Sequence, residues 1–399
     1  MDATVERVRG GGLILLLGAL VAFGPLAIDL YLPALPAIAE GLSASPRAVQ
    51  FSVTVFLAGF SLGMLFYGPI SDRFGRRRVM LGGIALFALA SLACMLATDV
   101  RQLILARFVQ ALGGGAAAVL ARAVVRDVYA GNEAISTLSL MAMVTAVAPL
   151  MAPLLGSALL SVFGWRGTFA ALLLWGALSL AVVWARLPET LSAERRGQLP
   201  LGRAFAAYGR LLSDPTALGL LLAGGMSFAG MFAYITAGAF YFIDLNGFSP
   251  AGFGVVFAVN ALGIFAANFA NSRLSLRYGP AAMAGVGIGC GLAGSLLVLA
   301  SMALGIGLYG VIAGLFVTVS MTGLLGANCV GLLMARYPHN AGAAAALFGA
   351  SQFGLGMLAS AGVSYFHDGS GWPMVLAIVL ASSVSVLGYW LFRRSGIDD

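Results

Sequence analysis

Asp29, in the segment GPLAIDLYLPALP (residues 24–36), is the only acid that lies clearly within an apolar run, and LILLLGALVAF precedes it. A carboxyl in such a place could take up and release a proton. Burial in an apolar medium favours its neutral form, a nearby cation favours its charged form, and a cavity wetted alternately from two sides would change both terms. The candidate cation is Arg107, in RQLILARFVQALGGG at the start of another apolar run. An arginine inside a span is costly unless paired or hydrated, which marks a functional position; snorkelling to the interface is the bland alternative. At 1.5 Å per residue, Asp29 lies roughly 24 Å into its run, about 10 Å short of the far boundary. Arg107, running the other way, lies roughly 9 Å from that same boundary. The two charges are therefore expected at similar depth, with Asp29 as proton carrier and Arg107 tuning it; a static ion pair supporting packing is the alternative.

Other chemistries are poorly provided for. All 22 basic residues are arginine, so neither a Walker A lysine nor a lysine Schiff base is available. Cys94, Cys290 and Cys329 are far apart in apolar runs and His339 and His367 are isolated, a spacing that fits no metal site. No cofactor is expected.

The elements that must position Asp29 and Arg107 are membrane helices. Sixty per cent of the 399 residues are hydrophobic and 9% are charged, against roughly a quarter charged in a soluble domain. Apolar runs of about 20 residues can each cross a hydrocarbon core of roughly 30 Å as helix. Twelve such runs are expected, at 13–36, 48–70, 79–97, 102–124, 135–160, 167–187, 217–243, 251–271, 281–301, 305–334, 342–364 and 373–392. The first is not read as a cleavable signal, because it carries Asp29 and two prolines where small residues should stand. Pro33 and Pro36 should end or bend the first span at its outer end.

A polar stretch separates the runs into an N-terminal six-helix bundle (1–187), a linker (188–216) and a C-terminal six-helix bundle (217–399). Arg7, Arg9, Arg73, Arg76–Arg78, Arg126, Arg186, Arg195, Arg196, Arg203, Arg210, Arg273, Arg277, Arg336, Arg393 and Arg394 fall on one side, and only Arg47, Arg101 and Arg166 on the other. The positive-inside rule then puts both termini and the linker in the cytoplasm. The formal net charge of +7 points to anionic lipid headgroups rather than nucleic acid. The halves also echo one another: Arg73-Phe74-Gly75 follows the second run and Arg277-Tyr278-Gly279 the eighth, as in a duplicated transporter unit.

Three motifs carry a family resemblance. GPISDRFGRRR, with Gly68, Asp72, Arg73, Gly75, Arg76 and Arg77, resembles the signature gating loop of the major facilitator superfamily. A glycine at the end of a helix allows close packing, an acid can meet helix N-termini or arginines, and a second glycine makes the tight turn. Arg107 followed by Gln110 resembles the superfamily's proton-coupling motif, with Ala111 where glycine is usual. AVAPLMAPLLGSALL resembles the antiporter motif through Ala152, Pro153 and Gly156, although Ala148, Ala152 and Ser157 replace glycines; an ordinary kinked helix is the competing reading. IDLYLPALPAIAE, MSFAGMFAYITAGAF (226–240) and VVRDVY are similar to the bicyclomycin-resistance (Bcr/CflA) group of drug–proton antiporters.

That resemblance implies an all-α fold of twelve transmembrane helices in two bundles, with spans one, four, seven and ten lining a cavity. It implies a non-enzymatic exporter, suited to compact drugs, that exchanges an outgoing antibiotic for an incoming proton across the bacterial inner membrane, as a monomer. Bicyclomycin is the first substrate it suggests, then sulfonamides or amphenicols; transport of a small metabolite on the same fold is the alternative. Tyr31, Gln110, Met226, Phe232, Tyr234, Asn260, Asn328 and Gln352 are the candidate substrate contacts. Phe232 and Tyr234, about 200° apart on a helix, should face different ways. Arg122, four turns inward of Arg107, is a candidate for the inner vestibule.

Overall fold

Prolines and short polar residues set most helix starts in the computed structural model, which describes residues 11–129, 131–192 and 201–395. Arg7, Arg9, Arg195 and Arg196 lie outside the described residues. Gly11–Val21 (α1), Phe23–Asp29 (α2) and Leu35–Gly41 (α3) form the first span. They are followed by Pro46–Phe74 (α4), Arg76–Leu96 (α5), Val100–Val128 (α6), Gly131–Phe163 (α7) and Trp165–Arg186 (α8). Leu201–Ser213 (α9) precedes Pro215–Ala239 (α10), Pro250–Tyr278 (α11), Pro280–Ala303 (α12), Leu308–Arg336 (α13), Ala341–Tyr365 (α14) and Trp372–Arg394 (α15). Pro46, Pro215, Pro250 and Pro280 open their helices, where a missing N–H loses nothing. Asp99, Asp214 and Ser249 cap α6, α10 and α11 through their side chains, satisfying N–H groups that would otherwise be orphaned. These caps lie two or three residues outside the expected apolar runs, because a helix continues until its polar ends are satisfied.

Ten of these helices are long and apolar enough to cross a membrane, and the bent pair Gly11–Val21 and Phe23–Gly41 makes an eleventh. The apolar stretch Val147–Phe163 of α7 supplies the remaining expected run. Among the described residues there is no strand.

The first span departs from expectation in where it bends. The 42° change of direction falls at Ala22, where Pro25 lacks the N–H that the Val21 carbonyl, four residues earlier, would accept from in a continuous helix. A second interruption follows Asp29: Leu30 and Tyr31 form a turn and Leu32–Ala34 a 3-10 segment. Here Pro33 removes the donor that the Asp29 carbonyl would accept from in a continuous helix. Pro33 therefore interrupts the span near its outer end as expected, and Pro25 adds an earlier bend that was not expected.

The chain divides into two compact units, one of residues up to Ala44 with Val55–Ala204, the other of Ser45–Thr54 with the chain from Phe205 onward. In the second unit Thr54 and Ser360 share a hydrogen bond of 2.7 Å, and the Thr236 hydroxyl donates to Ser360 at 2.8 Å.

Candidate functional site

In the first unit, α6 is enclosed along most of its length because Gly113, Gly114, Gly115 and seven buried alanines present almost no side chain. A Cβ at Gly113 would run into the backbone of Phe87 on α5. That close approach buries Arg107 completely. Its Nη1 donates to the Ala27 carbonyl of α2 at 2.9 Å and to Gln110 Oε1 at 2.6 Å. Gln110 in turn donates to Ser91 at 2.8 Å, and Ser91 to the Phe87 carbonyl. The guanidinium carbon lies 4.4 Å from the Tyr31 ring centre, 4.2 Å from Phe56 and 6.0 Å from Phe169. Three ring faces and two hydrogen bonds thus replace hydration around a charge in the span. Among the described residues Nε and Nη2 have no hydrogen-bond acceptor, so the rings carry that part of the cation.

Asp29 is 5% exposed and forms no ion pair among the described residues. Arg107 meets the first span two residues before Asp29. The partner differs: Arg107 binds the backbone at Ala27 and the rings, not the carboxylate, so neither direct charge tuning nor a static pair describes this geometry. Tyr31 and Gln110 differ from expectation as well. Both are fully buried around Arg107, where one supplies a ring face and the other an acceptor, and neither side chain is open to a ligand. Phe56, Phe169 and Ser91 complete the cage; nothing in their sequence spacing marks them.

A second clasp comes from α7. Gly156 lies so close to the first span that a Cβ there would collide with the Leu30 carbonyl, the residue after Asp29. Ala152, one turn earlier, is fully buried, and Pro149 and Pro153 lie inside the helix. The antiporter-like motif is therefore the surface against which the broken segment rests.

The signature-like loop is held within the first unit. Arg76 pairs with Asp72 at 2.6 Å and its Nε donates to Asp127 Oδ2 at 2.9 Å. The Arg76 and Arg77 backbone N–H groups donate to Glu189 at 2.8 and 3.3 Å. Gly75 has φ 94°, and a Cβ there would strike the Glu189 carboxylate. The Arg73 guanidinium lies over the Phe74 ring at 5.5 Å. Glu189 was not foreseen; its only signal is an acid just past the last arginine of a span. Gly68 has open space where a Cβ would stand, so it does not serve close packing as expected.

The candidates of the second unit divide among separate environments. Phe232 packs on Phe228 and Phe353 with ring centres 5.0 Å apart in the first pair and 6.1 Å in the second. Tyr234 stacks on Phe257 of α11 at 6.0 Å, so the two do face different ways. Asn328 donates to Asn271 Oδ1 and to the Leu324 carbonyl, both at 2.9 Å, which joins α13 to α11 and leaves its amide engaged. Asn260 is buried with neither side-chain atom hydrogen-bonded. Met226 lines an apolar cavity of about 620 Å³ with Leu355, Leu358 and Leu376. Gln352 on α14 approaches Gly326. Arg122, in the first unit, is exposed, while Asp127 is committed to Arg76.

Multiple apolar spans, a first span broken beside a buried carboxyl, and motif loops on the arginine-rich side define a polytopic membrane transporter rather than an enzyme. The model of the Major Facilitator Superfamily matches residues 15–360, and the chain belongs to that family, whose fold has twelve helices. It is 30% identical to the bicyclomycin resistance protein homolog of Haemophilus influenzae over 97% of each chain. It is also 30% identical to multidrug resistance protein D of Escherichia coli K12 over 92% of each chain. The solved structure of the peptide transporter POT in complex with sulfate superposes with a TM-score of 0.78, over 98% of each chain, at 14% identity; that likeness concerns the fold alone.

Proposed function

We propose that this transporter is a proton-coupled exporter of small antibiotics, bicyclomycin first and sulfonamides or amphenicols next, with Asp29 as the proton carrier. The observation that carries the reading is a carboxyl buried at a helix break with no ionic partner among the described residues. A carboxylate without a counter-ion in that setting is costly unless wetted, and its neutral form is not. Opening the site to the outside lets Asp29 take a proton; opening it inward, to a more alkaline phase, lets the proton leave while drug departs outward in the opposite half-cycle. Arg107 keeps the α2 backbone in place through Ala27, and Gly156 provides a smooth surface on which the broken segment shifts. One proton moving down 100 mV releases about 2.3 kcal/mol, which at one proton per neutral drug sustains roughly a fifty-fold gradient. The relatives' names, a bicyclomycin resistance protein homolog and a multidrug resistance protein, support the substrate class.

In this reading the protein acts as a monomer in the bacterial inner membrane, with both termini and the 188–216 linker on the cytoplasmic side. Inverted vesicles with an imposed pH gradient test it. Wild type should accumulate drug and consume the gradient, and Asp29→Asn at equal expression should do neither. Gradient-driven uptake that survives in Asp29→Asn rejects the carrier role; drug flux in the opposite direction makes the protein an importer. Arg107→Ala should also abolish transport, whereas Arg107→Lys, which cannot present a planar face to three rings, should retain only a small fraction.

A further inference from the structure

At the arginine-rich end of the second unit, α9 and the ends of α10, α13 and α15 surround an open cavity of about 770 Å³. Arg210, Ser213, Asp214, Thr216, Arg336 and Ser395 line it. Neither Arg210 nor Arg336 has a carboxylate within ion-pair distance among the described residues. Asp214, the one acid among the described lining residues, is already engaged: it accepts from the Thr216 backbone N–H at 2.8 Å and from the Tyr337 hydroxyl. Among the described residues, two cations therefore remain without a counter-charge in one concavity.

The helix beside it fixes the setting. On α9, Tyr208 and Leu211 are buried against the unit, while Phe205 and Leu212 are exposed. Phe205, Tyr208 and Leu212 fall on one stripe, and Arg210 lies about 200° round from Leu212. A helix with exposed apolar residues on one side and arginine on the other lies in the headgroup layer of a bilayer. The cavity borders its polar side, through Gly209, Arg210 and Ser213, and so opens at headgroup level.

We propose that this cavity binds the phosphodiester of an anionic phospholipid. Arg210 and Arg336 donate to the phosphate oxygens, a contact for which the guanidinium fork is well shaped, and Ser213, Thr216 and Ser395 bring hydroxyls to the same space. The site is separate from the transport residues, and it stands whichever substrate the protein carries.

Native mass spectrometry of the detergent-purified protein, titrated with phosphatidylglycerol or phosphatidylcholine, reads the proposal. Wild type should retain phosphatidylglycerol in preference. Arg210→Gln and Arg336→Gln should each lower that retention about fivefold, and the doubly substituted Lys variant should keep part of it. Arg273→Gln, outside the cavity, should change nothing. Equal retention of both lipids by wild type overturns the proposal, as does unchanged retention in both single Gln variants. Glycerol 3-phosphate in solution, binding as tightly as the lipid, would make the cavity a site for a free phosphate and reject the lipid. Single variants keep one arginine each, so the reading does not depend on a double Gln variant folding.

Discussion

Gly75 and Gly279 open α5 and α12 with nearly the same backbone, φ 94° and ψ 147° in one, φ 80° and ψ 153° in the other. Each donates its N–H to a serine carbonyl four residues back, Ser71 at 2.9 Å and Ser275 at 3.0 Å. Each is preceded by an arginine lying over an aromatic ring, Arg73 on Phe74 at 5.5 Å and Arg277 on Tyr278 at 5.2 Å. The surroundings differ. Glu189 presses against Gly75 and Asp72 pairs with Arg76, whereas Gly279 meets open space and the position of Asp72 is taken by the exposed Leu276. Turn geometry recurs in both loops, then, while the charge network belongs to one of them. A positive-φ glycine suffices to turn the chain between two spans; the carboxylates add a function the turn does not need.

Substitution at the two glycines should break this likeness most clearly. Gly75→Ala should destabilise by about 3 kcal/mol and Gly279→Ala by about 1–2 kcal/mol, because both strain the backbone but only the first displaces a carboxylate. Thermal unfolding in detergent checks this, and equal losses would mean that Glu189 contributes nothing. Removing the acid itself, Glu189→Ala, should cost about 1 kcal/mol as a lost helix N-terminal cap. It should also narrow the gap between the two glycine variants, since the collision disappears; a gap unchanged in the Glu189→Ala background would sink that account.

The smallest effect concerns the acid that the second unit does keep at its arginine-rich end. Partial burial acts to raise the Asp214 carboxyl, but hydrogen bonds from Tyr337, Thr216 and the Ala217 N–H outweigh it and hold the group below its ordinary range. Burial and that same carboxylate push Tyr337 up to about 12. A depressed carboxyl contributes stability that is present above its ordinary value and fades as pH falls through the lowered one. A raised phenol contributes below its ordinary value near 10 and loses that contribution as pH climbs towards 12. Tyr337→Phe should therefore lower stability slightly between these limits and flatten the alkaline limb of a melting-temperature profile. A profile identical to wild type above pH 10 would show the hydroxyl to be idle.

Much of the fold was legible because helix formation in lipid is a local matter. The apolar runs that mark the spans are set by the residues they contain. The break after Asp29 was legible for the same reason, since Pro33 acts on a carbonyl four residues away. What Arg107 meets was not. Ala27 lies 80 residues from it, and Phe56 and Phe169 come from two other helices whose spacing resembles any buried face. Glu189, 113 residues from Arg76, stood in a stretch that read as linker.

The amino-acid order alone determined that this chain crosses a membrane many times, which side carries the arginines, and where the first span must fail as a continuous helix. Each follows from transfer and backbone energies that accumulate residue by residue. Only the tertiary structure decided that the buried cation faces carbonyl and rings while the buried acid stands without an ionic partner among the described residues. Which groups meet depends on how glycine and alanine let distant helices close upon one another, and no local sum contains that.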